Sequence, residues 1–249
     1  EPGLALLVLE LLTPHIILRR GMIQGVRYPL FARHIATFMA RVAFYTSDLA
    51  LAAAEKKQPW ERFAPNTALC KITEDLIFTE PYIDAPNNRW TSPQLDAEVR
   101  TIRADRELKL AICELKEIFL CCAQALIHAD LHTGSIMVTA QDTRVIDPEF
   151  AFCGPIGFDV GAVLGNLLLN YFSQAGHATP EDSRREYGEW VLTQVREVWR
   201  GFVEEFRTLW DKEHTGDAYP SSLFAADPAG LREAQDWYLR RVFQHSLGF

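Results

Sequence analysis

Along most of this chain the apolar residues keep a helical period, and at one place they stop. From Leu95 to Ala125 the positions Leu108, Ile112, Leu115 and Phe119 recur at helical spacing, with Glu114, Lys116 and Glu117 on the opposite face. The next stretch, "LIHADLHTGSIMVTAQDTRVIDPEF" (126–150), is built instead from short extended runs joined by the polar turn "AQD". That is a hairpin signal. Helical patterning then resumes. "GFDVGAVLGNLLLNYF" is apolar on nearly every side and predicts a buried central helix. Val191, Val195, Val198, Phe202, Phe206 and Leu209 trace the stripe of a long surface helix, and a last helix should follow Pro228 with Leu231, Trp237 and Val242. Upstream, about Tyr28 to Ala50 reads as a helix with Ile35, Phe38, Met39 and Val42 on one face, while "LALLVLELL" reads as a short buried strand. "APNNRWTSP" is a turn-rich connector. The expected fold is therefore α+β and mainly α, with helices around one small polar hairpin.

Composition narrows the function classes. A chain of 249 residues, 48% of them hydrophobic, can bury a substantial core. A formal charge of −8 and a pI near 5.4 argue against nucleic acid or an anionic membrane as partner. No uninterrupted apolar run approaches the roughly 20 residues that span a bilayer. The N-terminal stretch lacks the basic flank of a signal peptide. Cys70, Cys113, Cys121, Cys122 and Cys153 have neither zinc-finger nor disulfide-framework spacing, which fits reduced thiols in a cytoplasmic protein.

The hairpin carries the chemistry. In phosphoryl transfer an Asp on a catalytic loop accepts the acceptor hydroxyl's proton, and a second Asp downstream holds magnesium against the phosphates. The loop pattern H-x-D-x-x-x-x-N is nearly present as His128, Asp130 and then Ser135 in the place of Asn. Asp147 stands where the second Asp is needed. In an extended segment Asp147 and Glu149 would face the same side, and Pro148 between them suits a segment leaving its ladder. Two hard oxygen donors match a partly hydrated magnesium on nucleotide phosphates. A competing reading makes His128, Asp130 and His132 ligands of a zinc hydrolase. A third leaves His128 and His132 as residues that only orient the loop.

At these residues the sequence resembles the S-methyl-5-thioribose kinases of the choline-kinase and aminoglycoside-phosphotransferase superfamily. That family reads H-G-D-L-H-T-G-S, with Ser where most relatives have Asn, and D-P-E in place of D-F-G. Both peculiarities appear here at Ser135 and at Asp147, Pro148 and Glu149. "ELLTPHIILRRG", "FYTSDLAL", "LCKITEDLIFTEPY" and "LDAEVRTIRADRELK" extend the resemblance along nearly the whole chain.

The resemblance implies a protein-kinase-like C-terminal lobe over 14–249, preceded at 1–13 by the last strand of an N-terminal lobe and its hinge. It implies ATP and Mg2+ as cofactors and S-methyl-5-thioribose as the small-molecule substrate. The γ-phosphate would move to the sugar's 1-hydroxyl in methionine salvage. Asp130 would bind and activate that hydroxyl. Asp147 and Glu149 would hold magnesium and, with Ser135 and Pro148, lie beside the nucleotide. Glu10, Leu11 and Leu12 would offer backbone groups to adenine, and Asp159 would hydrogen-bond the catalytic loop. A homodimer is also implied.

Two departures shape the expectation. Ala129 stands where the family has Gly; if that position has positive φ, the cost is on the order of 1 kcal/mol. The chain also shows no Gly-rich loop or strand Lys for the phosphates, and stops at "SLGF" before an expected Arg-Arg pair. It reads as a fragment with its N-terminal lobe largely missing, inactive alone. A non-catalytic relative that binds nucleotide or a partner is the alternative.

Overall fold

A computed structural model describes residues 8–249. Most of the "LALLV" strand expectation therefore lies outside the described residues, and Val8 to Thr13 form no regular element.

The hairpin is present. β3 (Ile136–Val138) and β4 (Thr143–Val145) pair antiparallel, Ile136 opposite Val145. A short β1 (Ile16–Ile17) adds to the other edge of β3, with Ile16 opposite Val138. β2 (Ala125–Ile127) does not join this sheet. It pairs antiparallel with β5 (Phe152–Gly154), a strand that "FCG" is too short to announce. The segment between β2 and β3 is thus a loop strung between two sheets.

The helices form around it in chain order: α1 (Leu18–Ile23), α2 (Phe31–Tyr45), α3 (Ala53–Phe63), α4 (Thr67–Leu76), α5 (Asp96–Ala104), α6 (Arg106–Cys121), α7 (Ile156–Ser173), α8 (Arg185–Glu213) and α9 (Pro228–Gly248). The helical run expected from Leu95 to Ala125 is two helices. Asp105 breaks it, because its carboxylate accepts the Leu108 N–H at 2.9 Å and caps α6 afresh. Asp227 caps α9 on Gly230 in the same way, with Pro228 at the first helical position.

The main core lies between α2, α7, α8 and α9. Ile35, Met39 and Phe44 of α2 meet Val198, Phe202 and Phe206 of α8, with Phe44 edge-on to Phe206 at 5.8 Å. Tyr238 of α9 stacks on Phe206, whereas Trp237 faces solvent. Gly161 lets α9 approach α7: a Cβ there would stand 2.6 Å from the Ser246 carbonyl oxygen. The central-helix expectation holds only for the first half of α7. Its core partners run out, and Leu169 and Phe172 are 70% and 74% exposed. By length and composition Ile156–His177 is the one span among the described residues that could cross a membrane, and half of it is buried inside the protein.

A second, aromatic cluster supports the loop after β2. Phe78, Phe119 and Phe158 pack with Ile127 and Ala129, Phe119 and Phe158 at 5.0 Å. All five cysteines are free thiols.

Candidate active site

The loop from His128 to Ser135 is held from beneath by α7. Asp159, in the first turn of that helix, receives the His128 N–H on Oδ2 at 2.7 Å and the Ala129 N–H on Oδ1 at 2.9 Å. One buried carboxylate therefore satisfies two successive backbone donors, the role expected of Asp159. Burial holds its carboxyl above the ordinary carboxylate range, against the pull of those two donors. Seven residues on and on the same helical face, Asn166 accepts from the Thr133 N–H and Oγ1–H at 3.3 and 3.1 Å. The sequence reading missed Asn166. Its signal was a polar residue seven positions after Asp159 within the apolar run "VGAVLGNLLL".

Ala129 takes the strained conformation that its position raised as a question, with φ of 63°, and its methyl is buried. His128 works within the scaffold. Its Nδ1 accepts the Asp130 N–H at 3.2 Å, which leaves Nε2 as the donor to the Ile146 carbonyl at 2.9 Å. Both ring nitrogens are engaged, so the zinc-hydrolase reading loses a ligand. Among the described residues no trio of His, Cys, Asp and Glu is arranged to hold a metal.

Asp130 is the loop's open carboxylate, its side chain 37% exposed. Beside it, His132 Nδ1 accepts the Gly134 and Ser135 N–H groups at 3.0 and 3.1 Å. The ring proton therefore sits on Nε2, which lies 3.6 Å from Asp130 Oδ2. Gly134 is required by this turn, since a Cβ there would come within 2.7 Å of the His132 ring. Ser135 is buried, with Oγ 3.2 Å from the same Nδ1 and its carbonyl accepting from the Ile146 N–H. A cavity of about 250 Å³ opens beside Asp130 and His132, walled by Ile77, Phe158, Leu169 and Phe249.

The Asp147 segment corrects the extended geometry. Asp147 is left-handed, φ 65° and ψ 52°, and Pro148–Phe150 is a single 3₁₀ turn. Asp147, Pro148 and Glu149 are exposed, and among the described residues neither carboxylate is drawn into an ion pair. Two unengaged hard-oxygen donors on one turn fit a divalent cation whose other ligands are water and phosphate. The structure brings this turn beside the loop through the His128–Ile146 and Ile146–Ser135 bonds. Glu10 and Leu11 are exposed and Leu12 is partly so; they precede β1, and His15 reaches Asp142 of the hairpin turn at 3.1 Å.

Comparison with known proteins gives the chain's family. The model of a family described as "Phosphotransferase enzyme family" matches residues 48–202. The chain is 48% identical over 247 residues to a protein named methylthioribose kinase from Escherichia coli O45:K1, covering 99% of this chain and 59% of that protein. Identity to methylthioribose kinase 1 of Oryza sativa subsp. japonica is 48% over 238 residues, 95% of this chain and 55% of the relative. For methylthioribose kinase of Geobacillus thermodenitrificans it is 42% over 249 residues, covering 100% and 58%. The chain thus spans a little over half the length of these relatives.

Proposed function

Because this chain belongs to the phosphotransferase enzyme family, we propose that it carries the acceptor and metal sites of a kinase that phosphorylates S-methyl-5-thioribose from ATP. The observation that carries this reading is the placement of Asp130. It is the one carboxylate of the loop left open, on a backbone fixed by Asp159 and Asn166, with a second carboxylate turn alongside.

In this reading the sugar's 1-hydroxyl lies at Asp130 and passes its proton to the carboxylate as its oxygen forms a bond to the γ-phosphorus. The bond from that phosphorus to the β,γ-bridging oxygen breaks, and ADP leaves. Positioning does most of the work, because phosphoryl transfer asks little covalent chemistry of the protein. The His132 Nε2–H faces the same carboxylate from 3.6 Å, outside direct hydrogen-bond reach. Asp147 and Glu149 would hold Mg2+, which when bound neutralises charge on the phosphates. Ser135 and Pro148 would lie beside the nucleotide, and Glu10, Leu11 and Leu12 would meet adenine. The cavity beside Asp130 has apolar walls and a polar floor, which suits a small sugar with a thioether. A cytoplasmic, homodimeric enzyme of methionine salvage belongs to the same reading.

A magnesium-dependent phosphotransfer assay on the full-length gene product, across methylthioribose, choline and aminoglycosides, tests it. Methylthioribose should be the preferred acceptor. Nucleotide binding without transfer to any acceptor would make the protein a non-catalytic relative. Stoichiometric zinc with ATP-independent hydrolysis would restore the hydrolase.

A further inference from the structure

The turn bearing Asp147 and Glu149 has little of its own to hold it. Its first residue is left-handed without being glycine, a conformation that costs roughly 1–2 kcal/mol and persists only where the surroundings impose it. Asp147, Pro148 and Glu149 are exposed, Phe150 alone packs against the aromatic cluster, and the turn's internal bond is the one from the Ala151 N–H to the Pro148 carbonyl at 3.1 Å. The carbonyls of Glu149 and Ala151 find their partner at the start of α4.

Asn66 meets them there. It occupies the N-cap of α4, where an Asn side chain ordinarily accepts from the second or third N–H of its own helix. It makes no such bond. Its Nδ2 instead donates to the Glu149 carbonyl at 2.8 Å and to the Ala151 carbonyl at 3.1 Å, across 83 and 85 residues of sequence. The assignment of the amide is fixed by chemistry, because only the NH2 end can face two carbonyl oxygens. The two bonds bracket Phe150 and close the turn from outside.

We propose that Asn66 is a positioning residue for the divalent cation: by clamping the Glu149 and Ala151 carbonyls it sets the direction in which Asp147 and Glu149 present their oxygens. This rests on the reading of those carboxylates as metal ligands. Groups that orient a metal's ligands usually matter 10–100-fold in metal affinity when removed, which fixes the size of the expected effect. α4 is mostly exposed, with Thr73 its one buried residue, so substitution at Asn66 should leave the core intact.

Asn66→Ala removes both bonds. Asn66→Asp is nearly isosteric but sets carboxylate oxygens against the two carbonyls. In the full-length gene product, Mn2+ binding read by electron paramagnetic resonance, with a non-hydrolysable ATP analogue present, should weaken about tenfold in both variants. Asn66→Gln, which keeps the amide donor, should recover part of that loss. Hydrogen exchange should quicken at 149–151 in Asn66→Ala while β2 and α7 keep wild-type protection, and the melting temperature should hold. Asp147→Asn, measured alongside, separates two failures. If Asp147→Asn weakens Mn2+ and the Asn66 variants bind like wild type, Asn66 is no clamp and the metal site stands. If Asp147→Asn and Glu149→Gln also bind like wild type, the metal site itself is wrong, and this inference falls with it.

Discussion

The two halves of the candidate site are built on opposite plans. The loop of Asp130 is part of the interior: His128, Ala129, Leu131 and Ser135 are each no more than 5% exposed, and α7 braces the loop through Asp159 and Asn166. The turn of Asp147 and Glu149 is exposed at both carboxylates, strained at its first residue, and fastened by the Asn66 amide from outside and by Phe150 against the aromatic cluster. The difference follows from the work proposed for each. A proton acceptor has to stand at one fixed place relative to a single hydroxyl, and rigidity serves it. Metal ligands have to remain open to water and phosphate oxygens, and burial would defeat them. In the loop, then, stability and positioning are carried by the same bonds; at the turn they are separate.

Substitution on the loop should produce the larger effects. Asp130→Asn keeps shape and nucleotide binding while removing the proton acceptor, and turnover should fall by about 10²–10⁴-fold. Near-normal turnover would take Asp130 out of the mechanism. Next in size is Asp159→Ala, which strands two buried N–H groups and should lower the unfolding free energy by on the order of 2–4 kcal/mol in a denaturant titration. Asp147→Asn, in the same experiment, should stay within about 0.5 kcal/mol of wild type. Equal losses from the two would erase the distinction between interior loop and open turn.

How far the sequence showed this division varies with the range of each interaction. The hairpin was legible because β3 and β4 alternate and are joined by a local turn. The long stripes of α2 and α8 were legible because a buried face repeats; on α9 the expected face was only partly right, since Tyr238, Leu239 and Val242 turn inward while Trp237 faces solvent. α3 and α4 were not, since each buries one residue, Lys56 and Thr73, and one residue makes no stripe. Asn66 was hidden for a different reason, its partners lying more than 80 residues away. The backbone at Asp147 ran against a local rule: a residue before proline is biased toward extended conformations, and here it is left-handed. The spacing of Asp130 and Asp147 suggested the chemistry we propose for them, while the backbone geometry of Asp147 was not legible.

At the turn the expected effects are functional and smaller. Asp147→Asn or Glu149→Gln should raise the magnesium requirement about tenfold and weaken ATP together with it, and zinc in excess should not rescue either. A change in ATP affinity at unchanged magnesium requirement would show that the turn touches nucleotide directly and not through a metal.

The smallest effect should be at Ala129, where the two plans meet in one residue: buried like the rest of the loop and left-handed like Asp147. Ala129→Gly relieves a strain of roughly 1–2 kcal/mol. It also removes a methyl packed among Phe78, Phe119 and Phe158, about 0.8 kcal/mol, and gives the unfolded chain freedom that costs about 0.5–1 kcal/mol more on folding. The opposing contributions nearly cancel, so stability should stay within about 1 kcal/mol of wild type. A gain of about 2 kcal/mol or more in the same titration would mean that the methyl contributes no packing and that the loop holds Ala129 in place against its full strain. The aromatic cluster would then be a wall beside the loop, and the bracing of Asp130 would rest on Asp159 and Asn166 alone.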